Sequence, residues 1–291
     1  MAAPVAVGGV GGVVNTSRYP LSDPDGTVLG GVVARVRGEL AAVGCSVLRD
    51  FVDRALRDDL RREGEQIAPR AHYGVETVNV YNTAPDPSLP PHHPARVPLE
   101  RGNAFVARDA IPTDALIHRL YASVAFQRFV AACFALPAVY ELADPLSGLT
   151  LNVVTPGRGH PWHFDVNQFT VTMLTREPED GGVFEYCPGI RSARDENLDD
   201  VRAVLDGRGD HLVHRLPLRA GDLQLFAGRY ALHRVATVRG AAERHSAIFA
   251  YSDRPGVISS LARTRQLFGR ISAEHHAAAA RRPGAVDGLL D

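Results

Sequence analysis

Beyond Pro145 the chain breaks into short apolar runs that lie too close together to be helices: residues 149–154, 168–174, 183–186, 214–218, 222–226, 234–238 and 245–252. Turn residues punctuate them, among them Asp180-Gly181-Gly182 and Ala220-Gly221-Asp222. A single short strand cannot bury its apolar face alone. Many of them with such punctuation predict two antiparallel sheets packed as a sandwich or jelly roll.

The first half has a different texture. Helical spacing over 32–42 stops near Gly44, Cys45-Ser46-Val47-Leu48 reads as a strand, and a charged helix is expected over 52–65. The charges there (Arg54, Arg57, Asp58, Asp59, Arg61, Arg62) suit a solvated face. Residues 83–98 are proline-rich and carry His92 and His93, which predicts an irregular loop of the kind that serves as a lid. Residues 114–134 read as one helix, with Leu116, Leu120, Val124 and Phe129 as core candidates, and 259–276 as another. The expected architecture is therefore α+β, mainly β: a helical N-terminal layer on a β-core. Residues 29–275 form one domain (29–145 helical support and lid, 146–256 β-core, 257–275 C-terminal helix). Residues 1–28 are expected to be a disordered N-terminus, a better reading than a signal peptide because no basic n-region precedes the apolar residues. Residues 276–291 are expected to fray.

Composition removes several chemistries. All 32 basic residues are Arg, so a lysine Schiff base, a phosphate-loop lysine and a lysine base are excluded. Cys45, Cys133 and Cys187 are odd in number and widely spaced, which argues against a disulfide framework or thiolate zinc site and for a reducing, cytoplasmic setting. A net charge of -1 gives no pull toward nucleic acid, and no apolar run is long enough to span a bilayer.

The segment with chemical content is Gly159-His160-Pro161-Trp162-His163-Phe164-Asp165. Residues two apart on a strand share a face, so His163 and Asp165 project together while Phe164 points away. His233 follows a later strand and is placed to join them. Two imidazoles and one carboxylate on one side of a metal leave three positions open, which is the facial triad of non-haem iron(II) oxygenases. A His-x-Asp alone is a weak signal among 12 histidines. It gains weight from Arg244 and Ser246, two apart and downstream of His233, because a guanidinium fork suits the distal carboxylate of 2-oxoglutarate. His211 and His214 compete with His233 but lack such a partner. Asn152 on the preceding strand is a candidate for the cosubstrate pocket, Trp162 for its wall, and Arg101 for a substrate carboxylate. Arg108, Glu185 and Tyr186 stay open.

The order His163-x-Asp165, His233, Arg244-x-Ser246 resembles the iron(II)/2-oxoglutarate dioxygenases, over about residues 40–270. More narrowly, the run HPWHFDVNQFTVTMLTREPEDGGVFEYCPGIR is similar to the branch of amino-acid halogenases and hydroxylases. The resemblance implies a double-stranded β-helix (jelly-roll, cupin-like) core, iron(II) on His163, Asp165 and His233, 2-oxoglutarate as cosubstrate and O2 as oxidant. It implies that His160 touches cosubstrate or substrate. Halogenases of this branch replace the carboxylate ligand by Gly or Ala. Asp165 therefore implies hydroxylation, desaturation or ring closure of a small amino-acid-like metabolite, with no nucleic-acid or membrane partner. Val166 after the ligand provides no acid for a cationic side chain and leans the substrate toward an apolar or neutral amino acid. The rival readings are a cupin-like metalloenzyme without 2-oxoglutarate and a non-catalytic jelly-roll binding module.

Overall fold

A computed structural model describes residues 12–280. Two sheets face one another. The larger has the order β1-β11-β7-β14-β5-β3-β2, built from β1 (Cys45–Leu48), β2 (His72–Val78), β3 (Leu99–Val106), β5 (Leu149–Val154), β7 (Thr170–Arg176), β11 (Leu223–Phe226) and β14 (Arg244–Phe249). The smaller has the order β10-β9-β12-β6, from β6 (His160–His163), β9 (Phe184–Cys187), β10 (His214–Leu216) and β12 (Leu232–Val235). The pairs β4 (Tyr140–Glu141) with β15 (Tyr251–Ser252) and β8 (Asp180–Gly181) with β13 (Val238–Arg239) close the ends. All pairings are antiparallel. This is the jelly-roll core expected from the strand pattern.

Alternation along the strands decides where the site lies. On the larger sheet, Leu149, Leu151, Val171, Met173, Leu223, Leu225, Ala247 and Phe249 belong to the main apolar core. They share it with Leu116, Leu120, Phe126 and Phe129 of α3 (Leu116–Tyr121) and α4 (Val124–Cys133), and with Val36 of α1 (Thr27–Val43). The alternate residues Thr150, Asn152, Gln224, Arg244 and Ser246 are also buried, yet polar, and point the other way, toward the smaller sheet. Burying polar side chains is unfavourable unless they find partners. A sheet that is apolar on its helix side and polar on its inner side thus marks the space between the sheets as the working interior.

The helical layer follows the expected spacing with corrections. Gly44 ends α1 with φ 66°, a left-handed cap that glycine adopts without strain. The charged segment is a helical turn at Arg54–Leu56 leading into α2 (Arg57–Ile67). The single helix expected over 114–134 is two, because Ser123 caps α4 by accepting a bond from the Phe126 N–H. The first half is also less helical than expected, since β2 and β3 form a hairpin that extends the larger sheet. Residues 83–98 are irregular, as expected, but pinned. Asn79 Nδ2 donates to the Thr83 hydroxyl and to the Ala84 and Ala95 carbonyls, and Arg96 Nη1 donates to the Pro87 and Leu89 carbonyls.

Two terminal expectations need correction where the structure describes them. Residues 12–28 are packed, not disordered: Val14 bridges to Val52, and Val13, Val14, Tyr19 and Leu21 are buried in the main core. Each such side chain is worth about 1.5–3 kcal/mol when fully buried, enough to hold a short segment down. At the other end α6 (Leu261–Phe268) is followed by α7 (Ala273–Ala279), so residues 276–279 continue a helix. The remaining expectations of a disordered start and frayed end concern residues 1–11 and 281–291, outside the described part. Helix α5 (Leu198–Leu205), unanticipated, covers the outer face of the smaller sheet together with Trp162, Phe164 and Leu232. No helix among the described residues is long and apolar enough to cross a membrane.

Candidate metal centre

His163 ends β6 and pairs directly across the strand with His233 on β12, so both imidazoles leave the smaller sheet on its inner face. Asp165 follows two residues later, its N–H bonded to the Gly228 carbonyl. One ligand atom from each of the three residues falls within a span of 4.8 Å. The Asp165 Oδ1 is 3.7 Å from His163 Nε2 and 3.5 Å from His233 Nε2.

The hydrogen bonds fix which nitrogens face the centre. His163 Nδ1 lies 2.9 Å from the Pro161 carbonyl, and His233 Nδ1 lies 2.9 Å from the Ala231 carbonyl. A carbonyl only accepts, so each Nδ1 holds the tautomeric proton and each Nε2 is the nitrogen turned with its lone pair toward the centre. Burial pushes the His163 pKa down, to about 3, and favours the neutral form of that ring. Burial opposes ionisation of Asp165; His233 and His163, whenever either carries a second proton, and the Thr170 hydroxyl act the other way and hold the carboxyl below its usual range. Three acceptors therefore converge with no proton donor between them. Such a set is repulsive without a cation and well matched to a divalent metal.

Supporting residues hold this geometry. Thr170 Oγ1 donates to Asp165 Oδ2 at 2.7 Å. Gly228 makes room for the carboxylate: a Cβ there would lie 2.0 Å from Oδ2. Phe226 stands edge-on to His233 at 4.8 Å between ring centres, with Phe184 at 5.7 Å, so one side of the centre is walled by aromatic rings. Neither Thr170 nor Gly228 was singled out in the sequence. Thr170 could have been found by counting alternation along β7, whereas a glycine in a turn carries no signal of a carboxylate packed on it.

His160 joins the inner face because the register shifts. His233 pairs with His163, but Val235 pairs with His160, so β6 carries one extra residue, a bulge that turns His160 inward. Its ring stacks on His163 at 4.1 Å, and its Nε2 is buried without a hydrogen-bond partner. Arg244 and Ser246 lie on the polar inner face, with Arg244 Nη1 donating to Ser246 Oγ at 2.7 Å. Among the described residues Arg244 has no carboxylate partner although it is only 4% exposed, and burial alone lowers its pKa to about 10. Asn152 faces Ser246 across the β5–β14 pair and donates to the Ala104 carbonyl.

Trp162 and Arg101 are placed differently from the sequence reading, which left Glu185 and Tyr186 open. Trp162 points away from His163, into the apolar layer outside the smaller sheet, with the Arg234 guanidinium 4.6 Å over its ring. Alternation along β6 puts it there, so it packs and does not line the interior. Arg101 is buried on β3 and already engaged, by Nε and Nη2 to Glu76 Oε1 at 3.0 and 2.6 Å and by Nη1 to Asn82 Oδ1. Glu185 pairs outward with Arg215 and Arg234, and Tyr186 packs inward against Phe226. The three cysteines are buried elsewhere, with burial raising their thiols to about 11 or 12, so no thiolate competes for a metal.

A jelly roll with a His–Asp–His centre on its inner face is the arrangement of the 2-oxoglutarate–iron(II) oxygenase fold. The chain belongs to the halogenase D (HalD) family, which it matches over residues 95–265. Among solved structures it is similar to the α-ketoglutarate-dependent non-haem epimerase SnoN of nogalamycin biosynthesis, with TM-score 0.52, 13% identity and coverage of 77% of this chain and 82% of that one. It is similar to AviO1 from Streptomyces viridochromogenes Tue57, with TM-score 0.51, 16% identity and coverage of 75% and 94%. A 2OG-Fe(II) oxygenase family oxidoreductase from Burkholderia pseudomallei gives TM-score 0.49, 17% identity and coverage of 77% and 92%. The likeness to these structures is one of fold. No curated protein matches the sequence.

Proposed function

We propose that the chain is an iron(II), 2-oxoglutarate-dependent oxygenase that oxidises a small, amino-acid-like metabolite by hydroxylation, desaturation or ring closure. The observation that carries this is the convergence of three acceptors, His163 Nε2, His233 Nε2 and Asp165 Oδ1, with no donor among them. Nitrogen and oxygen donors without thiolate fit a ferrous ion. The buried Arg244, with only a hydroxyl for company, fits the distal carboxylate of 2-oxoglutarate. When bound, iron and 2-oxoglutarate supply the oxidising power from O2 that no side chain possesses.

The protein's part is to hold, orient and exclude. His163 and His233 are locked through Nδ1, which keeps their lone pairs aimed at one point. Asp165 occupies the third ligand position, fixed by Thr170 and seated against Gly228. A carboxylate in that position favours oxygenation over halogenation within a family described by its halogenases. Arg244 and Ser246 give the cosubstrate a fixed anchor, and Phe184 and Phe226 keep water from the His233 side.

Turnover of 2-oxoglutarate to succinate under O2, together with metal content, tests the reading. Wild type is expected to bind one ferrous ion and to form succinate slowly even without substrate. One bound metal with no succinate would instead favour a cupin-like enzyme without 2-oxoglutarate, and no bound metal would favour a binding module.

A further inference from the structure

Of the three metal ligands only Asp165 lies outside a strand. His163 and His233 are fixed by their cross-strand pairing, whereas Asp165 sits in the irregular stretch 164–169 and rests on the turn 227–231. Two contacts join these stretches directly. The Asp165 N–H donates to the Gly228 carbonyl at 3.2 Å, and Arg229 Nη1 donates to the Val166 carbonyl at 2.7 Å. A carboxylate 3.5 and 3.7 Å from two imidazole lone pairs is pushed away by them until a cation arrives, so its place has to be set from elsewhere.

The layer outside the smaller sheet supplies a group that reaches both stretches. Arg191 lies in the connection 188–197 between β9 and α5, and its side chain is fully buried. Its guanidinium is 3.8 Å from the ring centre of Phe164, the residue between His163 and Asp165. Its Nε donates to the Arg229 carbonyl at 2.8 Å, and its backbone N–H donates to the Tyr230 carbonyl at 3.4 Å. Its Nη1 donates to the Glu196 carboxylate at 3.2 Å, which balances the charge. One side chain thus grips the first stretch through a ring and the second through a carbonyl. Phe164 passes that grip on because it is itself firmly seated. Tyr81 stacks on it at 5.7 Å with 16° between the planes, its N–H donates to the Val80 carbonyl at 3.0 Å, and its carbonyl accepts from Asn82 Nδ2 at 2.7 Å.

Stability alone does not call for an arginine at this place. Taking a cation out of water is unfavourable, and a leucine or methionine would pack against Phe164 without that penalty. A guanidinium, however, presents a flat cationic face to a ring and an edge of N–H donors to a carbonyl at the same time. A lysine ammonium is a point charge and cannot do both at once. The requirement that selects arginine is therefore geometric: the two stretches that meet at Asp165 have to be held in one register.

We propose that Arg191 is a positioning residue of the metal centre: by holding the Phe164 ring and the Arg229 carbonyl together, it sets Asp165 at the third ligand position before a metal arrives. This rests on the metal-centre reading. It differs from the support given by Thr170 and Gly228, which touch the carboxylate itself, because Arg191 acts through the backbone on either side of it.

The test is anaerobic titration of the full chain, freed of metal, with ferrous ion and with cobalt(II), whose visible bands report the ligand set. Thermal unfolding is followed on the same samples. Arg191→Met keeps apolar bulk against Phe164. It is expected to weaken both metals by about 10–100-fold, the range for loss of an outer partner, and to change the cobalt(II) bands. Arg191→Lys is expected to recover part of the affinity. In an Asp165→Ala background the ligand that Arg191 positions is already gone, so Arg191→Met is expected to cost no more than about twofold further. Phe164→Leu leaves Arg191 and its hydrogen bonds in place; it is expected to weaken metal binding in the same direction and carries the test should Arg191→Met not fold. Unchanged metal affinity and cobalt(II) bands in folded Arg191→Met, or in Phe164→Leu, overturn the proposal. So does a full further loss in the Asp165→Ala background, which general loosening of the site would give. In each of these cases wild type still binds one metal ion. A wild type that binds none removes the metal-centre reading itself.

Discussion

Among the described residues two His–Asp clusters, one fully buried and one half-buried, are wired in opposite senses. In the C-terminal cluster, His275 Nδ1 accepts from the Ser272 N–H, which places the proton on Nε2 and lets it donate to Asp144 Oδ2 at 3.0 Å. Asp144 also accepts from the backbone of Leu146, Ser147 and Ser259. Every polar atom of that pair is satisfied, and the cluster ties the C-terminal helices to the β-core. At the metal centre the protons sit on the other nitrogens. His163 and His233 donate through Nδ1 to carbonyls, and their Nε2 atoms meet Asp165 at 3.7 and 3.5 Å, acceptor against acceptor. A saturated His–Asp pair is a structural tether, whereas an unsaturated one is a site awaiting a cation.

The comparison breaks most readily by exchanging the two kinds of loss. His163→Ala and His233→Ala are expected to abolish ferrous binding, an effect beyond the roughly 10–100-fold that loss of an outer partner costs, with little loss of thermal stability. Metal titration alongside thermal unfolding checks this, and a ligand variant that unfolds but still binds metal would reverse the assignment. Asp144→Ala should do the converse. It leaves four donors without their acceptor and is expected to cost about 3–5 kcal/mol in denaturant unfolding, with metal stoichiometry unchanged.

Gly228→Ala sharpens the contrast, since its Cβ meets the Asp165 carboxylate and nothing in the tether. Metal affinity is expected to fall while the unfolding midpoint moves little. Thr170→Val removes only the hydroxyl that orients Asp165 Oδ2 and is expected to weaken metal binding by about 10–100-fold.

A smaller effect follows from pH. Burial raises the Asp144 pKa, but the bonds from Ser259, Leu146 and Ser147 outweigh it, so the folded value lies below the usual 3.8. A depressed carboxyl contributes stability that is present above its unfolded pKa and is lost as pH falls through the folded one. Acid unfolding of Asp144→Asn is therefore expected to show a shallower pH dependence below about pH 4 than wild type. Parallel curves would assign the tether's strength to groups other than this carboxylate.

Much of this was legible in the sequence for one reason: strand alternation is an exact period of two. It places His163 with Asp165 and Arg244 with Ser246 before any coordinates exist. What escaped depends on contacts between distant segments. The hairpin β2–β3 was hidden because β3 reads LERGNAFV, with charges and glycine where an apolar stripe would announce a strand, and because β2 is largely exposed. The inward turn of His160 depends on a bulge set by the partner strand. The packing of Val13 and Val14 needs Val52 and the helical core to exist first.

The most direct measurement is anaerobic addition of ferrous ion and 2-oxoglutarate, followed through the weak visible charge-transfer band of their chelate. The band is expected in wild type, absent in His163→Ala and weakened in Arg244→Ala, since one variant loses a metal ligand and the other the cosubstrate anchor. Asp165→Ala discriminates less, because a chelate can form on the two histidines. Wild-type protein that holds one ferrous ion yet shows no band on addition of 2-oxoglutarate would contradict the account.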